Sequence, residues 1–199
     1  MTNIIIGFAL AASSLAACNN NKAADTKQTK VKTNAAVVSA VQKAPDTTIT
    51  PTTVAFPAKE IIADYLQLKN ALAKDNGKDA ATAGNAIVAT LATVDMKSLS
   101  KEQMKSYMDL ADDLKEHAEH IGMNGGKLAH QREHFVMLSK DVADLIKTFG
   151  NGGQTLYKDY CPMANDGKGA TWISETKDIK NPYLGKSMPT CGSVKETIN

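Results

Sequence analysis

The sequence predicts an all-α fold: an antiparallel four-helix bundle with an irregular, aromatic-rich C-terminal segment packed on it. Four stretches between residues 58 and 149 repeat apolar residues at steps of three and four, which is the spacing of one helix face. Short turn-forming segments separate these stretches, so consecutive helices run antiparallel. Aromatic residues make up only 5% of the chain, which argues against a β-sandwich or barrel.

The first predicted helix follows Pro57 and ends at the Asp-Asn-Gly sequence of residues 75–77, because proline suits a first helical turn and this tripeptide favours a turn. Its apolar face consists of Ile61, Tyr65, Leu68 and Leu72. The second helix, from about residue 79 to 94, is rich in alanine and has a weaker apolar face.

The third predicted helix begins at Ser100, which together with Gln103 resembles a capping box. Its apolar positions continue to Ile121, and the glycine-rich residues 122–126 break the pattern. The fourth helix covers residues 128–149 and ends at a second glycine-rich turn. Residues 58–153 are therefore predicted to form the bundle.

Residues 154–199 differ in composition from the predicted bundle. They hold four of the ten aromatic residues, together with three prolines and four glycines that exclude long helices. So many aromatic side chains are not typical of a disordered tail. We expect an irregular segment that packs on the bundle as part of the same domain.

The N-terminus has the features of a lipoprotein leader. An apolar run at residues 4–12 is too short to cross a membrane, and it is followed by Leu15-Ala16-Ala17-Cys18, which resembles the bacterial lipobox. We expect a signal peptide at 1–17, lipid on Cys18, and a flexible linker over 18–57. The predicted location is the cell envelope, lipid-anchored and facing the periplasm.

Charge and cysteine content narrow the function classes. The 23 basic and 21 acidic side chains give a net charge of +2, without a basic stripe, so we expect no nucleic-acid partner. Three cysteines are too few for a disulfide-rich scaffold. With Cys18 assigned to the lipid anchor, two cysteines remain for another role.

All four histidines lie in one stretch of 18 residues, as His117, His120, His130 and His134. Each pair has helical spacing, i,i+3 or i,i+4, and shares a helix face. Because the predicted turn folds the fourth helix back along the third, the two pairs come to similar heights. They predict a site for Zn, Cu or Ni, with surface histidines as the competing interpretation.

Residues 130–134 also match H-x-x-E-H, a zinc-protease signature in which Glu133 would be the base. The pattern has three fixed positions and arises easily by chance. Such a protease also needs a distant third ligand, for which only Glu175 and Glu196 remain downstream, and a substrate-binding framework that a small bundle with an irregular tail does not suggest. We therefore predict no catalytic residues and no enzymatic activity.

The two remaining cysteines each lie near a methionine. Cys161 is followed by Met163, and Met188 precedes Cys191. Two thiolates and two thioethers form a soft donor set that suits Cu(I). A disulfide between Cys161 and Cys191 is the alternative, since export places the chain in an oxidising compartment.

Several of these sequences resemble a bacterial family known only as a domain of unknown function, numbered 3347. The similar segments are residues 65–72, 130–135, 138–139, 160–164, 169–170, 172–174, 181–183 and 191–192, together with Ile179, Gly185 and Met188. That family occurs as envelope lipoproteins and fused to the periplasmic adaptor subunits of heavy-metal efflux systems. The resemblance implies handling of copper or a related metal, with the histidines and the Cys/Met residues as ligands.

The function predicted from the sequence is a membrane-anchored, periplasmic metal-binding accessory protein linked to heavy-metal handling or efflux. Copper is preferred to zinc as the bound ion. The expected partners are the membrane, through the lipid, and efflux or other envelope proteins. The alternative is a non-catalytic protein-interaction module with a structural Cys161–Cys191 disulfide and histidines that splay outward.

Overall fold

The computed structural model describes residues 56–199. The predicted leader at 1–17, the predicted lipidation site Cys18 and the predicted linker up to residue 55 lie outside the described residues. Within the described part, no helix is long and apolar enough to cross a membrane.

Four helices form the first part of this structure. They are α1 (Ala58–Ala73), α2 (Gly77–Leu91), α3 (Lys101–Met123) and α4 (Leu128–Phe149), with a single 3₁₀ turn at Met96–Ser98 before α3. The second helix begins two residues earlier than expected, because the side chain of Asn76 caps it by accepting a hydrogen bond from the Asp79 N–H. The capping box of Ser100 and Gln103 is confirmed at the start of α3.

Consecutive helices pack against each other, and α1 also contacts α4. The fully buried side chains include Ile61, Leu72, Ile87, Leu114 and Leu138, so all four helices contribute to one core. Gly84 allows α2 and α3 to approach closely, since a Cβ at this position would lie 2.9 Å from the Ala118 carbonyl oxygen. The close approach fixes the height of α3 beside α2.

The C-terminal segment is a sheet, so the all-α prediction is wrong. Strands β1 (Leu156–Cys161), β2 (Ala170–Ser174) and β3 (Ser193–Ile198) form a three-stranded antiparallel sheet in the order β2-β1-β3. The fold is therefore mixed, with four helices and one small sheet. The glycines and prolines that exclude long helices belong to turns between strands of only five or six residues.

The sheet packs on the helices through β2, which contacts α4 and α1. The Tyr65 hydroxyl lies 2.8 Å from the Ser139 hydroxyl and accepts a hydrogen bond from the Ile173 N–H. Tyr183 donates to the Thr171 carbonyl at 2.6 Å. These buried contacts tie α1, α4 and the C-terminal segment into one core.

A small group of charges is buried where α1 meets the sheet. Lys69 is fully buried and donates to Glu175 at 2.7 Å, while Asn70 holds the other oxygen of that carboxylate. Asp159 is also fully buried, and neither of its carboxylate oxygens has a hydrogen-bond partner among residues 56–199. Burial raises the pKa of Asp159 to about 6, although the Lys69 charge opposes the shift.

We expect Asp159 to make the fold less stable as pH rises. The carboxyl of an unfolded chain ionises near pH 4, whereas folded Asp159 retains its proton to about pH 6. The unfolded state therefore gains relative stability across that window, by up to about 3 kcal/mol. Asparagine does not ionise, so Asp159→Asn removes this pH-dependent loss of stability. The unfolding free energy of the variant therefore rises relative to that of the original chain between pH 4 and pH 7.

Urea unfolding of both proteins at a series of pH values measures this difference. Asp178→Asn, at an exposed acid in the same segment, is the control and leaves the pH profile unchanged. A gap between Asp159→Asn and the original chain that is constant with pH contradicts the prediction.

Candidate metal centre

The four histidines occupy facing positions on two adjacent helices. α3 carries His117 and His120, and α4 carries His130 and His134. A tight turn joins these helices, with the Lys127 N–H donating to the Asn124 carbonyl and the Asn124 side chain donating to the His120 carbonyl. The predicted return of α4 along α3 thus brings both pairs to the same end of the bundle.

Three of the imidazoles converge closely enough to share an ion. One ligand nitrogen from each of His120, His130 and His134 lies within 4.8 Å of the others. The ring centroids of His120 and His134 are 4.2 Å apart, and those of His130 and His134 are 4.7 Å apart. All three residues are partly buried, so the site is in contact with solvent but is not fully exposed.

His117 joins this cluster from the side of the bundle interior. Its Nδ1 lies 3.2 Å from Nδ1 of His134, which is hydrogen-bond distance between two imidazoles. The rings are tilted, with centroids 5.4 Å apart. His117 therefore contacts His134 directly, and the four histidines form one connected group that we call the His cluster.

The electrostatics of the His cluster favour a neutral imidazole at His134. Burial lowers the pKa of His134, and the neighbouring His120, His130 and His117 lower it further. A neutral imidazole keeps a lone pair on one ring nitrogen, which is the form that binds a metal. Glu133 lies at the rim, with its Oε2 3.3 Å from Nδ1 of His130.

The residues between the two histidines of α4 have structural roles. Gln131 is fully buried and donates to the carbonyl oxygens of Gly77 at 2.9 Å and Ile121 at 3.1 Å. Arg132 donates to the carbonyl of Pro182, in the C-terminal segment, and pairs with Asp75. The H-x-x-E-H sequence therefore holds helix ends together as well as presenting histidines.

Sequence reasoning missed one residue at this site, Asp141. Its side chain is 12% exposed, and its Oδ2 lies 4.0 Å from Nε2 of His117. Asp141 follows His134 by seven residues, so both lie on the same face of α4. That spacing was the available signal, but the helix carries other acids and the sequence does not show which of them is buried.

The cysteines contact each other and not the His cluster. Cys161 is buried at the end of β1, and Cys191 is partly buried two residues before β3. Within residues 56–199 both are free thiols, and the hydrogen bond that the Cys191 thiol donates to Cys161 raises the pKa of Cys191. The single cluster of three or more metal-ligand side chains in this range contains the three histidines and neither cysteine.

The methionines near these cysteines are accessible. Met163 is 54% exposed and Met188 is 38% exposed. Met163 lines an open groove of about 310 Å³ against Ala129, Glu133 and Val136 of α4. Glu133, which lines this groove, also reaches His130, whereas neither cysteine belongs to the group of ligand atoms formed by the three convergent histidines.

Comparison with known families gives one match, which lies in the helical part of the chain. Residues 61–154 match the family model described as "Protein of unknown function (DUF3347)". The matched range spans the four helices and includes the whole His cluster. It ends before β1, so the resemblance stated for residues 160–192 stays a prediction. Neither the curated proteins nor the solved structures gave a match.

Gln131 is expected to be essential for the alignment of the helices that carry the His cluster. Gln131→Ala removes one hydrogen-bond donor from each of two buried carbonyl oxygens and opens a cavity, so we expect a loss of about 2–3 kcal/mol in unfolding free energy. Chemical denaturation measures it. Lys140→Ala, at an exposed position of the same helix, serves as control, and an equal effect of both changes contradicts the assignment.

Proposed function

We propose that this protein binds a metal ion at the His cluster and serves as an accessory protein in heavy-metal handling. The observation that carries the proposal is the convergence of His120, His130 and His134, whose ligand nitrogens lie within 4.8 Å of one another. Imidazoles that are already partly buried give up little solvent on binding, and a shared cation satisfies their lone pairs together.

Copper is the preferred ion of this proposal. Among divalent first-row metals, affinity for nitrogen donors rises to a maximum at Cu²⁺ and falls again at Zn²⁺. The three convergent donors are all imidazoles, and Glu133 at the rim can add an oxygen. Zinc also accepts this donor set, so a direct comparison of the two ions belongs in the test.

The cellular part of the proposal rests on the sequence. The lipobox at residues 15–18 supports membrane anchoring and a periplasmic location. The resemblance to family 3347 supports a link to efflux, because relatives of that kind are fused to periplasmic adaptor subunits. In this proposal the anchored domain holds the ion close to the membrane, where an efflux apparatus can receive it.

The interaction-module alternative is less well supported. It predicted histidines that splay outward, whereas the four imidazoles face one another across α3 and α4. Its second feature, a Cys161–Cys191 disulfide, requires only that the two thiols, which already contact each other, be oxidised. That part of the alternative is compatible with a metal-binding His cluster.

Removing two ligands tests the site. We expect the double substitution His130→Ala and His134→Ala to weaken Cu²⁺ binding by about 100-fold or more, since it leaves a single member of the convergent trio. Calorimetric titration of the purified mature chain with Cu²⁺ and with Zn²⁺ measures the affinities. Glu133→Gln is measured beside it: this variant keeps both histidines and removes only the carboxylate at the rim, so we expect a smaller loss of affinity.

Two results contradict the proposed function. One is an original chain that binds neither Cu²⁺ nor Zn²⁺ more tightly than the double variant does. The other is a loss of binding in Glu133→Gln as large as in the double variant, because the acid rather than the histidines would then dominate the site.

The cysteine thiols do not belong to the group of convergent histidines, and this gives another expectation. Cys161→Ser combined with Cys191→Ser leaves the Cu²⁺ affinity of the His cluster unchanged within about threefold, because neither thiol belongs to it. The same titration measures this, with circular dichroism to check the fold. A loss comparable to that of the histidine variant shows instead that the thiols and imidazoles share one ion.

A further inference from the structure

A buried carboxylate lies beside the His cluster without a full complement of partners. Asp141 is only 8% exposed. Its Oδ2 has no hydrogen-bond partner within residues 56–199, and it lies 4.0 Å from Nε2 of His117. An ionised carboxylate in such a place is costly unless a donor faces it. In this structure the facing group that can supply a proton is the His117 ring.

The position of the carboxylate determines which nitrogen of His117 carries the proton. A neutral imidazole has one N–H and one lone pair. The Asp141 oxygen accepts and cannot donate when ionised, so it favours the His117 tautomer with the proton on Nε2. The lone pair of that tautomer lies on Nδ1, which is 3.2 Å from Nδ1 of His134.

The tautomer of His117 in turn determines the tautomer of His134. Two ring nitrogens at 3.2 Å form a hydrogen bond only if one donates and the other accepts. With the lone pair on Nδ1 of His117, the proton must be on Nδ1 of His134. His134 therefore has its own lone pair on Nε2, and that nitrogen is the one left to bind an ion with His120 and His130.

We infer that Asp141 is a positioning residue, which acts through His117 to hold His134 in the tautomer that offers Nε2 to a metal. The inference rests on the proposed function of the His cluster. It adds a series of contacts that leads from the Asp141 carboxylate through the His117 and His134 rings to the ion. Metal-binding histidines are commonly fixed in this way by a carboxylate or carbonyl behind them. Here a second histidine lies between the carboxylate and the ligand.

Asp141→Leu tests this series of contacts, because leucine has a similar size and no hydrogen-bond acceptor. Without the acceptor, His117 can place its proton on Nδ1 and donate to His134, which moves the His134 proton to Nε2 and blocks the ligand lone pair. We expect Cu²⁺ affinity to fall 10- to 100-fold. The unfolding free energy should not fall, since an apolar side chain replaces a buried carboxylate that lacks partners.

A measurement without metal separates this inference from the proposed function. Long-range ¹H–¹⁵N spectra of ¹⁵N-histidine-labelled, metal-free protein at about pH 8, where imidazoles are neutral, report the tautomer of each ring. We expect His134 to carry its proton on Nδ1 in the original chain and on Nε2 in Asp141→Leu. The control is Asp144→Leu, at a carboxylate of the same helix that pairs with Lys147 and should change neither the tautomer nor the affinity.

Each outcome has one meaning. An unchanged His134 tautomer in Asp141→Leu overturns the positioning role, even if the chain binds copper. A shifted tautomer with unchanged affinity also overturns it, because the orientation would then not matter to the ion. If the original chain binds neither Cu²⁺ nor Zn²⁺, the proposed function fails, and the positioning role, which depends on it, fails as well.

Discussion

The buried amide of Gln131 is the contact on which the alignment of the histidine-bearing helices depends. Its two N–H groups bind carbonyl oxygens at the start of α2 and near the end of α3, while its backbone belongs to the first turn of α4. Three helix ends are thereby held at one level. Because His130 and His134 flank this residue in the same helix, their height relative to His117 and His120 follows from it.

The sheet stabilises the opposite side of α4. Tyr65, Ser139 and Tyr183 form a buried hydroxyl network between α1, α4 and the C-terminal segment, and Arg132 binds the Pro182 carbonyl from the first part of α4. α4 is thus fixed on one face by the sheet and on another by α3. A helix held from both sides can keep its histidines in place whether or not an ion is bound, which reduces the cost of ordering a site.

The sequence allowed the helices and the pairing of the histidines to be predicted, because both follow from periodicity within one segment. The three strands were missed, since each has only five or six residues and their stability comes from partners far away in the chain, such as β3 beside β1. Asp141 was missed for a related reason. Its spacing from His134 is visible in the sequence, but its burial is a result of tertiary packing.

The placement of protons on the imidazoles is linked to the buried carboxylate of Asp141. Four histidines in contact would repel one another if protonated, and burial already lowers the pKa of His134. Neutral rings avoid that repulsion, but each neutral ring must then place its single proton on one of two nitrogens. A carboxylate at the inner end of the chain of rings selects the arrangement that leaves the outer nitrogen unprotonated. In this arrangement the buried carboxylate of Asp141 keeps an unprotonated ring nitrogen on His134 facing the other two histidines, and a metal ligand needs such a nitrogen.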